Sequence, residues 1–259
     1  MQIDAYLRRI LSYARRAVDD YEMIEENDRI AVGLSGGKDS MTLLCALAGL
    51  RRFYPKKFDV VAINLGMGFA AAGFCTEEDE NAETEKMREL CRVLDVEFVH
   101  NSTEIANVVF KIRNESNPCS LCSRMRRGAL HDAAKAHGCN KLALGHHFDD
   151  AVETFMMNLF NEGRIGCFSP VTYLSRKDIT LIRPLIYAPE KNIRYFASHA
   201  ELPVSSSPCP SDKDSERARM KVMLRDMSKT YKGLKHRIFG AMQKGEVDGF
   251  HESSFRIDD

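Results

Sequence analysis

The stretch DRIAVGLSGGKDS, residues 28–40, limits this chain more than any other. The apolar run Ile30-Ala31-Val32 ends on a turn with glycines at 33, 36 and 37, and an apolar helical segment, DSMTLLCALAGL, begins at once. A strand that hands over to a helix through such a turn is half of a βαβ unit, and the alternation recurs down the chain. FDVVAINLG supplies a second strand, residues 77–94 an acidic helix and VEFVH a third strand. A cysteine-bearing helix (about 120–137), the strand KLALGH, the helix DDAVETFMMNLF, a fifth strand ITLIRPL and the helix PEKNIRYFASH follow. The pattern predicts an α/β fold, a doubly wound, Rossmann-like parallel sheet of five strands, with ligands beyond the carboxyl ends of the strands.

Punctuation in the sequence divides the chain into three parts. Residues 1–25 read as an amphipathic helix, 26–205 as the sheet domain carrying Cys119 and Cys122, and 206–259 as a small basic helical extension carrying Cys209. The Pro- and Ser-rich ELPVSSSPCPSD, 201–212, marks the last boundary. The longest apolar run has only ten residues, against roughly 18 for a membrane span, so no membrane segment is expected. The N-terminus lacks the apolar core of a secretory signal, although its Arg-rich amphipathic character mimics an organellar presequence. Eight cysteines without such a signal suit a reducing, cytoplasmic compartment, where thiols serve metals or catalysis more than disulfides.

Net charge is zero, so a nucleic-acid partner would have to be met by a local basic face. Residues 217–237 offer one, with eight Lys/Arg against the single acid Asp226, and Arg124, Arg126 and Arg127 offer another. The acidic stretch 77–97, nine Asp/Glu against three Lys/Arg, reads as a solvated helix face.

The loop GLSGGKDS has the chemistry of a phosphate cradle. Gly36 and Gly37 let the backbone approach an anion, successive amides and a helix N-terminus face it, Lys38 adds a full charge, and Ser35 and Ser40 add hydroxyls. It is not a Walker A loop, which spaces Gly and Gly-Lys by four residues and follows Lys with Ser or Thr; here three residues intervene and Asp39 follows. An acid beside a triphosphate repels it unless it holds a divalent cation, so Asp39 implies Mg2+. LALGHHFDD fits the same cleft: Gly145 would admit a nucleoside close to the strand end, and Asp149 and Asp150 begin a helix. N-capping and packed strand-end histidines (His146, His147) are the plainer readings of that segment.

Cys119 and Cys122, in NPCSLCSRMRRG, lack a second Cys-x-x-Cys pair. A thioredoxin-like redox pair, a zinc site completed by histidine, and a cubane iron–sulfur cluster held with Cys209 all remain open on spacing alone. Cys45 and Cys91 sit within helical patterns and read as small core residues, while Cys75, Cys139 and Cys167 fall in turns.

Ser-Gly-Gly-Lys-Asp-Ser in this position resembles the loop of the ATP pyrophosphatase (PP-loop) superfamily, whose adenine nucleotide alpha-hydrolase-like members cleave ATP between α and β phosphates. MIEENDRIAVGLSGGKDS, CSLCSRMRRG, KLALGHHFDD, LIRPLIY and MLRD occur in the order and spacing of its tRNA 2-thiocytidine synthetases, over roughly residues 15–245. The resemblance implies ATP-dependent thiolation of a cytidine in the tRNA anticodon loop. ATP would contact Gly33, Leu34, Ser35, Gly36, Gly37, Lys38, Asp39, Ser40, Asn64 and Gly145. Cys119, Cys122 and Cys209 would hold a 4Fe-4S cluster, and Asp39 with Asp149 or Asp150 would hold Mg2+. Lys38, Asp39, Arg126 and Asp150 form the implied catalytic set; Arg126 takes a basic position similar to the catalytic lysine of related two-thiouridine enzymes. Arg124, Arg127, Arg217, Arg219 and Lys221 are expected to grip tRNA, with a sulfur donor such as a cysteine desulfurase as partner and a homodimer left open. Other PP-loop chemistry, thiolation or amination of another base or a small molecule, is the first rival; a non-enzymatic iron–sulfur or zinc binding protein is the second. Two features depart from the family: Gly66 stands where an Asp is common, and GMGFAAAGFC is unusually rich in Gly and Ala.

Overall fold

The computed structural model of the protein describes residues 3–113, 118–205, 208–210 and 216–252. The first two residues of the expected N-terminal helix, the expected boundary at 206 and parts of the extension (211–215 and 253–259) lie outside them.

Helix α1 (Ile3–Asp20) leads to β1 (Asp28–Gly33), α2 (Lys38–Arg51), β2 (Phe58–Gly66), α3 (Glu77–Val93) and β3 (Glu97–Ser102). A short turn, α4 (Ile105–Asn107), widens into a π-helical stretch (Val108–Arg113) before α5 (Pro118–Ala136), β4 (Lys141–Ala143) and α6 (Phe148–Asn161). The hairpin β5 (Val171–Leu174) and β6 (Ile179–Ile182) precedes α7 (Glu190–His199), α8 (Glu216–Thr230) and α9 (Leu234–Lys244).

These strands form one six-stranded sheet in the order β3-β2-β1-β4-β6-β5. The five expected strands are present and parallel, with Asp28 facing Phe58 and Gly33 facing Ile63 across β1 and β2. The addition is β5, antiparallel to β6 at the edge. Only four residues long and exposing Tyr173, it carries too little apolar alternation to stand out in sequence. The chain adds β2 and β3 on one side of β1 and then crosses to β4 on the other. The carboxyl ends of β1 and β4 therefore flank the switch point where a doubly wound sheet opens a crevice.

α2 is buried from Ser40 to Leu50, which explains its apolar run: the sheet covers one side and α1 and α7 the other. Gly49 belongs to that contact, since a Cβ there would stand 3.0 Å from both Leu7 and Leu11. The acidic α3 is the solvated helix its composition suggested. It pairs Glu83–Lys86, Glu85–Arg88 and Glu89–Arg92 outwards and buries Met87, Leu90 and Cys91. α5 packs on the opposite face, where Ala133, Ala134 and Cys139 meet Ala31, Val61 and Ile63. No described helix is long and apolar enough to cross a membrane.

The chain's two ends join this core. Leu7, Ile10 and Ala14 of α1, Met220 and Leu224 of α8, Phe239 and Met242 of α9, and Phe250 all enter the cluster centred on α2. Phe239 stacks on Phe148 at 4.9 Å, and Phe148 begins α6 beside the crevice. Phe239→Ala should therefore cost about 3–5 kcal/mol and shift a single cooperative urea transition. A separate early transition confined to α8 and α9 would show that they fold apart from the sheet.

Candidate active site

A helix that runs antiparallel to the next parallel strand begins at that strand's carboxyl end, so α2, α5 and α6 all start at the crevice. The phosphate loop occupies its centre. Leu34 N–H donates to the Ile63 carbonyl (2.8 Å), which fastens the loop entry to β2. Gly36 has φ +80, a left-handed conformation that favours glycine, and a Cβ there would meet Ser205 Oγ at 2.5 Å. Gly37 caps α2 without a side-chain hydrogen bond, which leaves the amides of the first turn facing the crevice. Ser40 braces the loop: its hydroxyl accepts from Ser35 N–H (3.1 Å) and donates to the Gly37 carbonyl (3.0 Å).

Lys38 Nζ lies 3.0 Å from Asp39 Oδ2 and 3.3 Å from Glu190 Oε1. Burial acts to lower its pKa, but Asp39 and Glu190 outweigh that and raise it. Glu190 went unnoticed in the sequence because an acid in a helix's first turn is usually read as dipole stabilisation. In the fold it is buried and also meets Lys221 Nζ (2.6 Å) and Arg194 (3.2 Å). Burial alone would raise its carboxyl; Lys221 and Lys38 reverse that and hold it at about 2.

The GHHFDD segment crosses the crevice from β4. His147 caps α6 and shares a capping box with Asp150, its Nδ1 accepting from Asp150 N–H (3.4 Å). His147 Nε2 lies 3.5 Å from Asp150 Oδ2 and 3.6 Å from Asp39 Oδ1. His146 packs on Phe168 and accepts from Arg183 Nε (3.3 Å); burial, then Arg183, lowers its pKa to about 4. Gly145 is crowded by α2 rather than by open cleft, as a Cβ would lie 3.1 Å from Asp39 C and Ser40 N.

Of the three carboxylates expected to share a cation, Asp149 accepts from Glu190 N–H (2.7 Å) and Lys235 Nζ (2.6 Å). Both its oxygens thus bind α6 to α7 and α9. Asp150 accepts from His147 N–H (3.0 Å) and pairs with Arg217 (3.0 Å). Asp39 Oδ1 is buried without a hydrogen-bond partner. A carboxylate oxygen held bare beside a phosphate loop fits a divalent cation.

Asn64 donates to the Leu34 carbonyl (2.8 Å), and its Oδ1 meets His100 Nδ1 (2.8 Å). That imidazole accounts for Gly66, where a Cβ would lie 2.9 Å from His100 Cε1. A larger residue at 66 requires the ring to move.

Cys119 and Cys122 occupy the first turns of α5, exposed and half-buried respectively. Ser205, four residues before Cys209, is tied to the phosphate loop: its N–H donates to the Gly36 carbonyl at 3.1 Å. Cys119 and Cys209 are both close enough to act on the Cys122 thiol. Burial raises the pKa of Cys122, Arg126 draws it down, and Cys209 and Cys119 each push it up. Among the described residues no three His, Cys, Asp or Glu side chains converge on a single point. Arg124, Arg126 and Arg127 stand exposed on the same helix, whereas Arg217 and Lys221, still partly exposed, pair with Asp150 and Glu190. Arg219 faces outwards.

A PP-loop domain family matches residues 9–226. The tRNA-cytidine(32) 2-sulfurtransferase of Geotalea uraniireducens is 38% identical over 241 residues, 92% of each chain. Its counterpart in Geobacter metallireducens is 39% identical over 237 residues, 91% of this chain and 89% of the relative. The chain belongs to the PP-loop tRNA-cytidine 2-sulfurtransferase family. The fold agrees: the U34-tRNA thiolase NcsA from Methanococcus maripaludis, solved with its 4Fe-4S cluster, superposes with TM-score 0.72 at 24% identity, over 91% of this chain and 78% of that one.

One carboxyl in this family member's crevice was not foreseen. Glu153, 3% exposed, has an Oε1 without a partner. Burial and then Asp150 raise its pKa to about 7, against the pull of Lys221, Arg217 and Lys235. A raised carboxyl stabilises the fold fully below its unfolded value and loses that contribution as pH climbs through the folded one. Stability should fall by roughly 3 kcal/mol between about pH 4.5 and 7 on this account. In urea unfolding across pH 5–8, Glu153→Gln should flatten the curve; an unaltered slope would mean that Glu153 is already ionised in the fold.

Proposed function

We propose that this chain is an ATP- and Mg2+-dependent tRNA sulfurtransferase that activates O2 of a cytidine in the anticodon loop and exchanges it for sulfur. The observation that supports this reading is that Cys119 and Cys209 both act on the Cys122 thiol, while Ser205, four residues before Cys209, bonds the phosphate loop.

Oxygen on an amide-like carbon leaves poorly until it is esterified to a phosphate. The α2 amides and Lys38 hold the triphosphate and draw charge towards the departing pyrophosphate. Asp39 Oδ1, buried without a hydrogen-bond partner near His147, would hold Mg2+, which would supply charge neutralisation for the phosphates. Lys38 leaves Glu190 for the nucleotide, and Glu190 keeps Lys221 and Arg194 as partners. Arg126, which acts electrostatically on Cys122, would stabilise negative charge as AMP departs.

Three cysteines suit a cubane that leaves one iron without a protein ligand, whereas a structural zinc takes four ligands. Held by Cys119, Cys122 and Cys209, a 4Fe-4S cluster would supply the sulfur. Arg124 and Arg127, exposed beside the cysteines, and Arg219 on the outer row of α8 serve the tRNA backbone. A sulfur donor such as a cysteine desulfurase is the expected partner, in the cytoplasm.

Mass spectrometry of tRNA nucleosides from cells with and without the chain tests this reading. We expect 2-thiocytidine to vanish without it, and to stay absent when Cys209→Ala replaces it. Persistence of 2-thiocytidine, or pyrophosphate release by the purified protein that ignores tRNA, would move the chemistry to another base or a small molecule.

A further inference from the structure

Lys221 and Arg217 were expected to hold RNA, yet both pair with carboxylates of the crevice, with 45% and 41% of their side-chain surface in solvent. Four residues apart, they share one face of α8 with the buried Met220 and Leu224. Lys221 Nζ lies 2.6 Å from Glu190 Oε2, while Lys38 of the phosphate loop takes Oε1 of that carboxylate at 3.3 Å. Arg217 reaches one turn along α6: Nη1 stands 3.0 Å from Asp150 Oδ1 and 3.7 Å from Glu153 Oε2, and Nη2 donates to Thr154 Oγ1 at 3.1 Å. Arg219 and Arg225, on the outer row, have two-thirds of their side-chain surface in solvent.

We propose that Arg217 and Lys221 complete the nucleotide site as a cationic clamp on the β and γ phosphates, the pair that leaves as pyrophosphate. This rests on the ATP-cleaving reading of the crevice and extends it to α8. The argument is one of charge and position. Glu190 is a buried carboxylate shared by a phosphate-loop lysine and a lysine from a distant helix, so it seats both ammonium groups on one anion at the crevice. A phosphate that draws Lys38 off Glu190 arrives beside Lys221. Arg217 offers a planar fork, and 41% of its side-chain surface is still open to solvent. Charge-assisted contacts to a departing phosphate strengthen as negative charge develops there. α8 also follows the segment that bears Cys209, so the phosphate and thiol ends of the site are brought in by successive parts of the chain.

Calorimetric titration of the full-length protein with magnesium pyrophosphate, without tRNA, tests the clamp. Lys221→Ala and Arg217→Ala should each weaken binding about tenfold, the loss of one charge-assisted contact, and Lys221→Arg should restore most of it. Arg219→Ala should leave pyrophosphate affinity within about twofold and instead weaken tRNA in a filter-binding assay. Pyrophosphate affinity unchanged in Lys221→Ala, or loss of tRNA binding in its place, overturns the clamp, as does wild-type protein that binds no pyrophosphate. If Arg217→Ala does not fold, Lys221→Ala and its Arg rescue decide alone. A clamp that passes while cellular 2-thiocytidine is unaffected by loss of the chain would leave α8 in the nucleotide site and remove only the cytidine substrate.

Discussion

A single backbone hydrogen bond organises the chemistry: Ser205 N–H donates to the Gly36 carbonyl. Gly36 takes a left-handed conformation (φ 80) that favours glycine. Ser205 Oγ reinforces the contact at 3.3 Å, and the absence of a Cβ at residue 36 makes room for it. Ser205 lies four residues before Cys209, so the tie holds the start of that cysteine's segment at the phosphate loop.

A second constraint is electrostatic. Asp149, Glu153 and Glu190 are three nearly buried carboxylates at the start of α6 and α7, and such groups are costly unless paired. Lys235 of α9 answers Asp149, Lys221 of α8 answers Glu190, and Arg217 approaches Glu153. The basic extension is thus docked by charge as well as by Phe239 and Leu224. Arg219 and Arg225 of α8 keep two-thirds of their side-chain surface in solvent, while Arg217 and Lys221 of the same helix pair with carboxylates of the crevice.

Much of this was legible in the chain. Strand and helix periods gave five parallel strands and the helices between them, because buried parallel strands and the all-round apolar α2 leave strong patterns. The phosphate loop and the Cys119/Cys122 pair were legible because each depends on local spacing. What sequence could not show depends on contacts between distant segments. Ser205 looked like one serine in a polar linker, Glu190 like dipole decoration, and Lys221 like one more cation on a basic helix; each acquires its role only from a partner many residues away. Asp149 looked equivalent to Asp150, and only the fold brings Lys235 to one and Arg217 to the other. Gly66 made sense only once His100 stood beside it.

Anomalous diffraction at the iron edge, from anaerobic crystals of the holoprotein grown with a non-hydrolysable ATP analogue, bears most directly on the gathering of sulfur and phosphate. We expect one iron–sulfur cluster bound by Cys119, Cys122 and Cys209, beside the bound triphosphate and with no fourth side-chain ligand. Iron held elsewhere, Cys209 standing apart from the pair, or a fourth amino-acid side chain completing the set would contradict it.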